Sequence, residues 1–133
     1  MKLWKGAANA RVFRAPQGET LALSGLGVSV WGKPIASYAG DPRPLAGIPQ
    51  HQEKGQWHIA VAHGYFIDHE EIIMSRQDYI ALGHCPSFGC VCNAPVKACY
   101  CDSPSWTFPR STVNIVDLGE GTGVQVAPYS LLK

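Results

Sequence analysis

The chain has 133 residues, 46% of them hydrophobic and 16% charged, with a formal net charge of +1. That length suits one domain spanning residues 1–133, with a core large enough to fold without disulfide staples. The near-neutral balance and the lack of any long basic or acidic run give no reason to propose a nucleic-acid or membrane partner.

At the N-terminus, "MKLWKGAANARVF" carries no apolar run followed by a small-residue cleavage site, and no later segment reaches membrane-spanning length. A cytoplasmic location is the expectation. There the five cysteines should be thiols, and an odd number cannot all pair within one chain. "ARVFRA" (10–15), "ETLALSG" (19–25) and "GVSVWGKPI" (27–35) are apolar and β-branched runs split by turn signals, and they predict an antiparallel meander. Residues 36–56 are rich in Pro and Gly and predict a long ordered loop.

"WHIAVAH" (57–63) and "DYIALGH" (78–84) are compact apolar runs that each end in a histidine beside glycine. Between them, "IDHEEIIMSRQ" (67–77) is the one predicted helix, with Asp68 as cap and Glu71 completing a capping box. A cysteine hairpin follows, then strands over 111–118 and 124–132 around the turn "GEGTG". The predicted class is α+β and β-rich, with mixed and antiparallel sheets and few short helices.

Chemistry concentrates at two places. His63 and His84 close apolar strands where loops commonly open into a crevice, and neutral imidazole is a common ligand for transition metals. The competing reading is that each histidine ends a strand and hydrogen-bonds a loop carbonyl. Cys90, Cys92, Cys99 and Cys101 occupy alternate positions on the two arms of the hairpin. A two-residue turn at Ala94 and Pro95 sets position 90 opposite 99, and a slip by two sets it opposite 101. Either register puts all four on one face. Packing as small hydrophobes, a zinc site and redox pairing all stay open, with packing favoured because residues two apart on a strand stand about 6.5–7 Å apart, too far for a converging knuckle. Cys85, next to His84 in a loop, is the thiol expected to be exposed. The tryptophans and His69, Glu70 and Glu71 take ordinary structural readings, as buried aromatics and a solvated helix surface.

"HIAVAHGYF", then "DYIALGH", a hairpin ending in "CDSP" and a final "TVNIVDLGEGTGVQV" resemble the C-terminal half of calcineurin-like metallophosphoesterases. "VFRAPQGETLAL", "GVSVWGKPI" and "RPLAGIP" extend the resemblance over about Arg11 to Tyr129. It implies the C-terminal half of that family's sandwich fold and a two-metal hydrolytic centre. His63 matches the family's His-Gly block and His84 the first histidine of its Gly-His-x-His block. The second histidine of that block falls at Pro86, the Asp-x-His and Gly-Asn-His blocks do not occur before His63, and Asp41 and Asn9 lie in the wrong context to replace the missing ligands.

The resemblance therefore implies a phosphoesterase-like remnant, catalytically incomplete alone, serving as a binding or assembly module. The alternative is a metal-dependent phosphoester hydrolase whose site is completed by oligomerisation or by a partner chain. No tightly bound cofactor is expected; His63 and His84 would hold zinc, nickel or manganese weakly. A homodimer or higher homo-oligomer is expected, because surface covered in the family by the N-terminal half would here be bare.

Overall fold

The computed structural model describes residues 8–35, 43–50, 53–64, 69–83, 89–93, 96–100 and 112–131. Two strands, β1 (Glu19–Leu23) and β2 (Val28–Gly32), form an antiparallel hairpin across a single 3-10 turn at Ser24–Leu26. β3 (Trp57–His63) lies parallel to β2, and the helix α1 (His69–Met74) carries the chain to β4 (Tyr79–Gly83), parallel to β3. β5 (Gly89–Asn93) and β6 (Val96–Tyr100) make a second hairpin, whose β6 lies parallel to β4. The six strands form one mixed sheet in the order β1-β2-β3-β4-β6-β5. A separate antiparallel pair, β7 (Thr112–Gly119) and β8 (Gly123–Ser130), follows. A β-rich α+β arrangement of mixed and antiparallel sheets is what the apolar periodicity predicts.

Strands β3 and β4 read as nearly continuous apolar runs because the sheet is covered on both faces, the usual setting of parallel pairing. On one face Trp31, Ala60, Ile80, Leu82 and Ala98 pack against Ile72 of α1 and against Leu45 and Ile48 of the segment before β3. The alanines keep that face low, so the short helix and an irregular segment can both close on it. On the other face Tyr79 and Cys99 meet Val124 of β8, with Trp57, Ile59, Val116 and Val126 around them. Lys97 Nζ donates to the Val124 carbonyl and Asn114 Nδ2 to the Tyr100 carbonyl at 3.4 Å, tying the β7–β8 pair to β6.

Several sequence expectations change. Residues 10–15 are not a strand: the Gly18 amide donates to the Ala15 carbonyl at 2.8 Å, and the Arg14 and Ala15 amides donate to the Glu19 carboxylate. Local capping thus takes the backbone groups that a strand would need. The segment instead lays the Phe13 ring across Gly32, where any Cβ would collide with it. The helix is shorter than 67–77, ending where the Ser75 hydroxyl donates back to the Ile72 carbonyl and Arg76 turns left-handed at φ 53°. Its predicted cap, Asp68, lies outside the described residues.

The hairpin register is the first of the two predicted, with Cys90 opposite Cys99 and Cys92 opposite Lys97. The expectation of thiols is corrected for Cys90 and Cys99. Cys90 and Cys99 form a disulfide with Cα atoms 4.1 Å apart, the close spacing of directly opposed residues on one face of an antiparallel pair. Cys99 is 1% exposed within the sheet's core, whereas Cys90 is exposed on the edge strand. Among the described residues no helix is long and apolar enough to cross a membrane.

Candidate functional site

The parallel strands β2, β3 and β4 all run out at one edge of the sheet. His63 is in register with Gly83, and the Gly64 amide donates to the Gly83 carbonyl at 3.4 Å, prolonging the ladder one step past both strands. Beside them the Lys33 amide donates to the Val61 carbonyl at 3.3 Å. The Tyr100 hydroxyl, from the end of β6, donates to the Gly64 carbonyl at 3.3 Å and braces this corner. The result is an open hollow of about 380 Å³ at the strand ends, lined by Lys33, Ile35, Val61, His63, Ala81 and Gly83 among others. Crevices at the carboxyl ends of parallel strands are where mixed sheets usually present functional groups.

Gly83 leaves room for His63. A Cβ at position 83 would stand 2.7 Å from His63 Nδ1, so the imidazole rests over bare backbone of the neighbouring strand. The Lys33 ammonium donates to the Arg43 carbonyl at 3.1 Å, which holds that side chain across the segment before β3. The hollow is therefore lined by an imidazole, the Lys33 side chain and apolar walls.

Of the residues singled out in the sequence, His63 is in this hollow. His84 follows Gly83 directly in sequence but lies outside the described residues, as do Cys85 and Cys101. Cys92 has its backbone placed opposite Lys97 on β5. Cys90 and Cys99 are joined to each other, and in the disulfide neither sulfur is the thiolate that a zinc ligand must be. A two-metal centre of the kind the resemblance implies needs several carboxylate and imidazole donors converging on each ion. Among the described residues no three His, Cys, Asp or Glu side chains come together in that way.

The opposite face of the sheet holds a groove that no motif announces. It measures about 400 Å³ and lies between β1–β2 and the approach to β3, with Thr20, Ser29, Trp31, Glu53, His58 and Gln77 in its walls. Gln56 Nε2 donates to Glu53 Oε2 at 2.8 Å, and His58 Nε2 lies 3.2 Å from the Glu53 carbonyl, so the rim is internally braced. Behind it the His58 amide donates to Asp78 Oδ2 at 2.7 Å. Sequence reasoning passed over these residues because they come from separated segments with no recognisable spacing. Lys33 did carry a signal, since it directly follows β2 near where His63 ends β3.

No family model, curated protein or solved structure matches the chain.

Proposed function

We propose that the chain is a metallophosphoesterase-like domain that lacks a self-sufficient hydrolytic centre and acts as a binding or assembly module. One observation carries this reading: the described residues that line the hollow with His63 are Lys33 and apolar or glycine residues, and none is a carboxylate. Metal-assisted phosphoester hydrolysis depends on carboxylate oxygens to hold and bridge its cations. The sequence blocks resembling the family supply the rest of the argument, with His63 and His84 as its residual ligands. A homodimer or a partner chain docking at this edge would cover Ile35 and Val61, which the described surface leaves exposed.

Hydrolysis of bis(p-nitrophenyl) phosphate after loading with manganese tests the reading, with His63→Ala and His84→Ala measured beside the parent chain. Equal background rates in all three are expected. Turnover in the parent that disappears in both variants would overturn it, and would place the chain among hydrolases whose centre is completed by oligomerisation or by a partner.

A further inference from the structure

The Cys90–Cys99 disulfide joins two unlike surroundings. Cys99 is 1% exposed and packs with Tyr79 and Val124, whereas Cys90, directly opposite it, is exposed on the edge strand β5. The described side chains of that layer come from β3, β4, β6, β7 and β8, and none from β5. The described cover on this face therefore stops at β6, and the bond runs from the core out to an open edge. A disulfide with an exposed end is the kind that exchanges with thiols, because exchange depends on access to the sulfur attacked.

The fold can also survive the opening of this bond. A chain of 133 residues buries a core without staples. β6 keeps its parallel pairing with β4 whether or not the bond is closed, and β5 ends the six-stranded order.

We infer that Cys90 is a reversible modification site for a low-mass thiol of the glutathione class. The thiolate attacks Cys90 Sγ and forms a mixed disulfide there; the Cys90–Cys99 bond breaks, and its electron pair leaves on Cys99, which takes up a proton. No oxidant is needed, since the bond that breaks supplies the oxidising equivalents. Attack by Cys99 on the mixed disulfide expels the thiol and closes the bond again, while attack by a second thiol removes the modifier and leaves both cysteines reduced. The nucleophile must approach each sulfur from the side away from its partner. For Cys90 that side is the open edge; for Cys99 it is the layer that Tyr79 and Val124 fill. This bond lies apart from the strand-end hollow, and the inference does not rest on the reading of that hollow.

Brief exposure of the folded, disulfide-intact protein to millimolar reduced glutathione under argon tests this. The reaction is quenched in acid, alkylated in urea and mapped by mass spectrometry. The parent chain is compared with a combined Cys85→Ser, Cys92→Ser and Cys101→Ser variant, in which glutathione cannot pass to a third cysteine; if that variant does not fold, the parent gives the same ratio. Glutathione on Cys90 should exceed that on Cys99 roughly tenfold in the folded protein and become about equal when the disulfide-intact chain is first unfolded in urea. The β4–β6 amides should keep their exchange protection throughout. Equal labelling of the two cysteines in the folded protein, an excess on Cys99, a Cys90 preference unchanged by urea, a bond that glutathione does not open, or loss of the β4–β6 protection would overturn the inference.

Discussion

Gly83 sits under the His63 imidazole, and one added methyl group there probes the strand-end hollow. The obstructed atom is Nδ1 of a side chain that can rotate, so Gly83→Ala should swing the ring away at a global cost within about 1–2 kcal/mol. Shifted His63 ring resonances with a nearly unchanged urea midpoint are expected; an unmoved ring would mean that the strands part instead. A glycine beside a histidine was legible in the sequence as a place of close approach. That the approaching group is the ring of the neighbouring strand was not, because it depends on the β3–β4 register. Glu19 gives a second residue-scale prediction. Hydrogen bonds from the Arg14 and Ala15 amides hold its carboxyl below the usual carboxylate range. A carboxyl whose folded value is depressed contributes its stabilisation above the unfolded value and loses it as pH falls through the folded one. The turn before β1 should therefore loosen as pH drops below the ordinary carboxylate range, with faster amide exchange at Arg14 and Ala15 relative to the sheet, and Glu19→Gln should show that looseness at neutral pH.

Among the elements, the β5–β6 hairpin carries the largest correction. Even spacing of the cysteines put them on one face and offered Cys90 opposite Cys99 as one of two registers, and the fold chose it; the assumption of a reducing compartment was what made them thiols. A disulfide closing a loop with a sequence separation of 9 stabilises by about 2.5 kcal/mol in the chain-entropy account. Reduction with dithiothreitol should lower unfolding stability by about that amount, and Cys90→Ser should reproduce the loss under oxidising conditions. A urea midpoint indifferent to reductant would show that the bond contributes nothing. The expected damage is local, since β5 is an edge strand and β6 keeps its parallel partner β4. The run at 10–15 shows the opposite limit of sequence reasoning. Its apolar residues suited a strand, but a single carboxylate four or five residues ahead captured the amides.

For the molecule as a whole, the described residues cover the β7–β8 pair on one side. Val116, Leu118, Val124 and Val126 face the six-stranded sheet, while Val113, Ile115 and Tyr129 point outward and are exposed. The register sets Val113 opposite Tyr129, so these apolar side chains form one patch. Exposed Val61, at 41%, adds apolar surface by the strand-end hollow. Burial of such surface against a second copy is the least specific way to remove it from water, and two-fold pairing is the commonest form. Light scattering at high micromolar concentration should give twice the chain mass, and Ile115→Lys should shift it toward the monomer. A clean monomer for the parent chain would refute self-association.

The amino-acid order by itself determined where most strands lie, that they are mostly apolar, and that a histidine closes β3. These are properties of near neighbours: β propensity, turn residues and the run of buried side chains are all written locally. Tertiary structure alone decided the strand order, the parallel pairing of β2, β3, β4 and β6, and the joining of Cys90 to Cys99 rather than to a metal. It also assembled Thr20, Trp31, Glu53 and Gln77 into one groove. Their segments meet only because the sheet must bury both faces at once, and that condition acts on the folded chain and leaves no periodic trace in the sequence.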